Sequence, residues 1–320
     1  MRLTGLRVGT LANARHSAIP MTREETAMNK KQILAGIIMS LLVTGAATAA
    51  DFTVTVEPNY PPAQAQEVYK PLLDYLTKTT GQHFVLKPAA NYHVYWRDMR
   101  AATPIDFAFE EAHFTDYRIN HQRFTPLVHI LEPTKYVLLA DSESANDGTH
   151  GLIGSRIACM SAPSMGYLLL GEWYKNPIAQ PEVLSTAASW KDGVEMVFAT
   201  ESDGAMVPSY IASTYPNLVS IATSREFVGR AFSAGPTVPL EVRQKVAAAL
   251  LKLKSPEILD ELGATGFVPA TAAEYAGNER LLRDVFGYQP VRGSVPSLVP
   301  APGAVEAQPG LTVKGKRTGG

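Results

Sequence analysis

EVYKPLLDYLTKTTGQHFVLKPAANYHVYWRDMRAATPIDFAF, residues 67–109, decides how the chain is read. Val68, Leu72, Leu73, Tyr75 and Leu76 recur at helical spacing, and Gly81 follows where a helix needs a left-handed residue to stop. Phe84 to Lys87 reads as a strand and Tyr92 to Ala101 as a second helix. Ile105 to Phe109 is a short, nearly all-apolar strand of the kind that parallel sheets bury on both faces. Phe52 to Glu57 alternates as an earlier strand, and Tyr60, Pro61 and Pro62 break it before the first helix. The run is a βαβαβ opening, and the fold class is α/β.

The rhythm recurs downstream. Leu127 to Leu131 and Tyr136 to Ala140 read as strands, and the polar stretch from Asp141 to Gly151 is a loop where the chain can leave one lobe for another. A second lobe then begins with a strand over Arg156 to Met160, a helix over Ser164 to Tyr174, another over Asp192 to Thr200, and a strand over Gly204 to Val207. From Pro239 the spacing of Val242, Val246, Ala249, Leu250 and Leu253 predicts a helix, followed by helices over Ser255 to Leu262 and Ala272 to Phe286 that return to the first lobe. The division expected is residues 51–140 with 228–288 in lobe 1 and 141–227 in lobe 2. Residues 289–320, rich in proline and glycine and poor in large apolar side chains, read as a flexible tail.

With 320 residues, the chain has room for two domains that each bury a core. Its 29 basic and 30 acidic residues leave a net charge of -1, so no overall field draws it to nucleic acid or an anionic membrane. Lys30 and Lys31, the apolar run from Ile33 to Val43 and the small residues Ala47 and Ala49 have the layout of a cleavable secretory signal over residues 28–50. The apolar run is short for a membrane span, which is the alternative reading. Residues 1–27 read as an extension upstream of the true start, Met28. Cys159 is the one cysteine, so an exported product has no internal disulfide and depends on its core.

Several pieces, taken in order, resemble the phosphonate/phosphite-binding family of periplasmic solute-binding proteins of ATP-driven importers. They are Tyr69 to Leu76 with Thr80 and Gly81, Tyr92 ahead of a helix, Asp106 to Phe109, Pro163 to Tyr167, Ser202 to Ala205, and Leu262 to Phe267 followed by Tyr275. The resemblance implies a two-lobed type 2 periplasmic-binding fold with two crossing segments, and a small-molecule ligand held between lobes that close on it. It also implies a membrane permease as partner, a periplasmic location and a monomer. In the family a hydroxyl-rich run opens a second-lobe helix and holds the anion. Pro163, Ser164, Met165 and Gly166 stand there in this chain, so Ser164 with the Gly166 amide is the expected grip. Tyr92 matches a ligand-contact tyrosine and Asp203 an acidic position associated with the ligand's amino end or with lobe structure. Trp190 stands where the family can have a histidine, and Glu110 where it has an aromatic residue.

A carboxylate about 4 Å from a bound anion opposes it by roughly 4 kcal/mol at an effective dielectric near 20. Glu110 therefore turns away, pairs with a base such as Arg97, or faces a ligand with positive charge. Three further constellations have a functional and a bland reading. Glu110, Glu111 and His113, with His93, form a metal site or simply a polar loop capping the next helix. Cys159 senses a soft metal or metalloid, or is a small buried hydrophobe. Tyr92, Tyr95, Trp96 and Trp190 form a cation-holding box, or are core. The sequence has no nucleophile elbow, phosphate-cradling loop, Cys–His pair or zinc-binding helix, so the function expected is capture of an oxyanion without catalysis and without a cofactor. The alternative is a sensor that signals to a membrane receptor kinase and binds a cation, metal or metalloid.

Overall fold

In the computed structural model, residues 51–142 and 147–288 are described. The segments read above as an extension (1–27), an export signal (28–50) and a tail (289–320) lie outside the described residues. Two sheets organise the chain. The first has six strands: β1 (Asp51–Val56), β2 (His83–Leu86), β3 (Phe107–Glu110), β4 (Thr125–Ile130), β10 (Ala231–Ala234) and β11 (Phe267–Pro269), in the order β11-β4-β10-β3-β1-β2. The second has five: β5 (Tyr136–Ala140), β6 (Arg156–Ala158), β7 (Glu182–Leu184), β8 (Gly204–Pro208) and β9 (Val219–Thr223), in the order β7-β6-β8-β5-β9.

Helix α1 (Pro62–Thr80) covers one face of the first sheet. It buries Ala65, Tyr69, Leu72, Leu73 and Leu76, and Gly81 ends it at φ 71 with its amide on the Thr77 carbonyl. Each buried leucine there contributes about 2 kcal/mol. α7 (Leu240–Lys252) and α8 (Pro256–Glu261) share that core. On the other face lie α2 (Tyr92–Arg100) and α3 (Ala112–Gln122). In the second lobe, α4 (Met165–Trp173), α5 (Trp190–Phe198) and the one-turn α6 (Ser209–Ala212) pack on the five-stranded sheet. The end of the described chain is not one helix over 272–286. Gly277, at φ 91, separates α9 (Ala272–Tyr275) from α10 (Arg280–Phe286), and α10 touches α3 of one lobe and α4 of the other.

The expected lobe boundary at residue 140 is corrected. β5 pairs antiparallel with β8 from Tyr136↔Pro208 to Ala140↔Gly204 and with β9 on its other side, so it is a central strand of the second sheet. The chain crosses between the sheets before β5, at residues 131–135, and returns at 224–230. The two crossings bond to each other: the amides of Thr134 and Phe227 each donate to the other's carbonyl at 2.9 Å. Gly229 lies in this crossing, where a Cβ would meet the carbonyl oxygens of Ile130 at 2.3 Å and Glu132 at 2.7 Å. Backbone cannot give way as a side chain can, so Gly229→Ala is expected to cost about 1–3 kcal/mol, read as a lower thermal midpoint. An unchanged midpoint would show that the crossing yields enough to admit a methyl group at Gly229.

Candidate ligand-binding cleft

The carboxyl ends of the parallel strands β1, β2 and β3 in one sheet and β6, β7 and β8 in the other face each other, which is where open α/β folds place their ligands. Between them is a cavity of about 340 Å³. Pro58, Tyr60, Pro61, Pro62, Ala90, Asn91 and Tyr92 line it from the first lobe, and Met160, Ser161, Ser185, Thr186, Ala187 and Ala188 from the second. Three helices begin at its wall: α1 at Pro61 and Pro62, α2 at its N-cap Asn91, and α5 just beyond Ala188 at its N-cap Ser189. Each start carries partial positive charge, but α1 opens on two prolines that have no N–H, so free amides at the wall come only from the starts of α2 and α5. The hydroxyls of Ser161, Ser185 and Thr186 have no hydrogen-bond partner among the described residues, and no carboxylate lines the cavity. One nearby amide is already taken, since Ala188 donates to Asp192 at 2.7 Å. A groove of about 440 Å³ at Thr103, Ile105, Asp106, Phe124 and Pro236 lies at the other end of β3, away from the cleft.

Behind the cavity the lobes touch through polar groups. The Tyr92 hydroxyl donates to Asn59 Oδ1 at 2.6 Å and lies 2.9 Å from Glu57 Oε2, and Trp190 Nε1 of the second lobe donates to the same Asn59 Oδ1 at 3.0 Å. Tyr136, on β5, donates its hydroxyl to Glu111 Oε1 at 3.1 Å, while Glu111 Oε2 is buried without a partner. Burial pushes the Glu57 carboxyl well above the usual range, and the neighbouring Glu111 charge adds to this. Burial also pushes Glu111 up to about 7, against the opposing pull of Arg230. Arg230, stacked on Phe109 and Tyr210, supplies a buried positive charge nearby. The interior of the cleft is therefore less negative than two glutamates suggest.

The residues expected to form the site divide sharply. Tyr92 lines the cavity, and Trp190 meets it across the cleft through Asn59. Ser164 is corrected: it is fully buried, its hydroxyl donates to the Met160 carbonyl at 2.8 Å, and its oxygen accepts the Tyr167 amide at 3.3 Å. It caps its own helix, which leaves no hydroxyl for a ligand. Met165 is buried in the core, and Gly166 lets Met206, Cys159 and Trp190 approach, with a Cβ there falling at 3.0, 3.1 and 3.4 Å from them. The start of α4 is closed from the first lobe by His113, whose Nε2 sits 3.0 Å from the Pro163 carbonyl.

Glu110 is also corrected. Its base is Arg118 rather than Arg97: Arg118 Nε reaches both carboxylate oxygens, at 2.7 and 2.8 Å, and the Tyr95 hydroxyl donates to the same group. Arg97 pairs with Asp98 on the surface. Asp203 lies at the amino ends of β6 and β8, opposite the cleft, where it accepts the Arg156 amide at 2.7 Å. Asp203→Ala should therefore leave ligand affinity within about twofold; a tenfold loss measured by calorimetry would return Asp203 to the site.

Glu110, Glu111 and His113 turn to three different partners, His93 is exposed, and no group of three or more His, Cys, Asp or Glu among the described residues is placed to hold a metal ion. Burial holds His113 neutral, its pKa lowered to about 3, and raises the Cys159 thiol to about 12, so the thiol behaves as a core atom. Tyr95 and Trp96 pack with Phe114 and Tyr117 rather than forming a box with Trp190. The residues that sequence reading passed over are Asn59, Ser161, Ser185 and Thr186. Their one signal was position, each lying within three residues of a strand's carboxyl end.

Residues 54–275 match the family described as ABC transporter, phosphonate, periplasmic substrate-binding protein. The chain belongs to this family. It is therefore a periplasmic solute-binding component of an importer rather than an enzyme, working with a small-molecule ligand and a transporter permease. Its fold is similar to a binding protein component of an ABC phosphonate transporter from Pseudomonas aeruginosa, at 14% identity and TM-score 0.62 over 73% of this chain and 86% of that one. It is similar to PhnD1 from Prochlorococcus marinus in complex with methylphosphonate, at 14% identity and TM-score 0.63 over 74% and 99%. A Xanthomonas citri protein bound to chloride ion shares 17% identity at TM-score 0.58 over 73% and 99%. No curated protein matches the chain.

Proposed function

We propose that this family member captures a small oxyanion of the phosphonate, phosphite or phosphate kind in the 340 Å³ interlobe cavity. The observation that carries this reading is the convergence of three helix starts and three unpartnered hydroxyls on a cavity without a carboxylate in its wall. Helix starts and hydroxyls together donate hydrogen bonds to an anion without needing a lysine or arginine. The grip thereby moves from Ser164 to Ser161, Ser185 and Thr186, on the loops after β6 and β7. The protein acts as a monomer, exported by residues 28–50, and hands its ligand to a membrane permease.

Thermal unfolding of the mature protein with methylphosphonate, phosphite, phosphate, a sulfonate and a betaine tests the reading. A ligand at about a hundred times its Kd adds roughly 2.7 kcal/mol, worth about 5 to 10 °C at this size. A shift with phosphorus oxyanions is expected. A shift with the betaine alone would replace the oxyanion by a cation held at Glu111.

A further inference from the structure

Asn59 follows β1 by three residues, and Pro58 and Tyr60 on either side of it line the cavity. Its side chain is 5% exposed. The indole N–H of Trp190 is a donor and never an acceptor, so the Asn59 atom 3.0 Å from it must be the carbonyl oxygen. The Tyr92 hydroxyl, at 2.6 Å, meets the same oxygen. Two donors, one from each lobe, thus fix which way the amide points, and its Nδ2 has no partner among the described residues. Nδ2 is not sealed in the core, unlike the buried unpartnered Oε2 of Glu111, so a ligand oxygen can reach it and take up its donor capacity.

We propose that Asn59 Nδ2 is a ligand-anchoring donor just behind the wall that Pro58, Tyr60 and Tyr92 give the cavity, and that Trp190 is its positioning residue, aiming the amide only when the lobes are closed. This rests on the oxyanion reading above. Recognition and closure then share one side chain: with the lobes apart, Trp190 no longer holds the oxygen and the amide is free to turn. The ligand is read by a hydrogen bond that exists in its correct orientation only in the closed form.

Calorimetry with methylphosphonate, phosphite and inorganic phosphate on the wild type, Asn59→Asp and Trp190→Phe tests it. Asn59→Asp keeps the oxygen that Tyr92 and Trp190 use and replaces the donor by an acceptor, so a loss of a hundredfold or more is expected. Trp190→Phe keeps an aromatic ring beside Gly166 and removes the N–H, so a threefold to tenfold loss is expected, and this variant decides the matter if Asn59→Asp does not fold. The ¹⁵N-resolved side-chain amide of Asn59 should shift on saturation of the wild type, a signature that a merely structural role would not produce. Unchanged affinity in the variants with an unshifted amide would overturn the inference and leave the oxyanion reading standing. If none of the three anions binds the wild type, the oxyanion reading fails and the inference fails with it.

Discussion

Replacing Arg118 by methionine is expected to cost 3–5 kcal/mol, about 10 °C or more in thermal midpoint, although Arg118 lines no part of the ligand cavity. Arg118 and Glu110 have side chains only 4% and 0% exposed. Glu110 also accepts the Tyr95 hydroxyl, and Arg118 Nη1 donates to Gln122 at 2.7 Å. Removing the arginine leaves a carboxylate buried with a single neutral donor, the case in which desolvation is no longer offset. The double variant Glu110→Leu with Arg118→Met removes both charges and should recover most of the loss. Urea unfolding of the four proteins in the cycle measures this. If the double variant is as unstable as the single one, the pair contributes shape rather than charge compensation.

Glu111→Gln is expected to make the protein more stable near pH 8 and to flatten its pH profile. In the folded chain burial pushes the Glu111 carboxyl up to about 7, well above the ordinary glutamate range. A carboxyl raised on folding binds its proton more tightly in the folded state. Its stabilising contribution is therefore complete below the unfolded pKa and is lost as pH rises through the folded one. The window is about pH 4.5 to 7, and the loss is on the order of 3 kcal/mol. Glutamine stays neutral across that window and can still accept the Tyr136 hydroxyl. Glu57 is also raised, first by burial and then by the Glu111 charge, so the variant should leave a weaker pH dependence of its own from Glu57. Unfolding free energies at fixed ionic strength from pH 5 to 8 give the test; parallel curves for wild type and variant would mean that Glu111 is hydrated and titrates normally.

These two glutamates show how unevenly the sequence is legible. Glu110 and Glu111 are neighbours at the end of one strand, and nothing in their local pattern separates them. Their side chains leave the chain in different directions, one to Arg118 on α3 and the other across the cleft to Tyr136. The start of helix α3 reads in the sequence as a polar loop capping the next helix, because residues 112–118 are buried on every side and show no apolar stripe. Its polar residues are satisfied by tertiary partners, such as the Pro163 carbonyl for His113 and the Glu279 amide, which donates to Asp116. Its stop is Arg123 at φ 58, a left-handed residue that no glycine announces.

α1, β1, β2, β3 and β5 could be read directly, because amphipathic spacing, a capping glycine and short apolar runs are local properties that burial on one or both faces imposes on any chain. The order of family motifs was legible for the same reason, each motif being contiguous in sequence. What only the tertiary structure decided was the allegiance of β5 to the second sheet, the diversion of Ser164 and Asp203 into capping and strand-end roles, and the meeting of Asn59 with Trp190. Each of these depends on which distant group satisfies a buried donor or acceptor. That pairing is settled by packing in three dimensions, and residue type and spacing do not encode it.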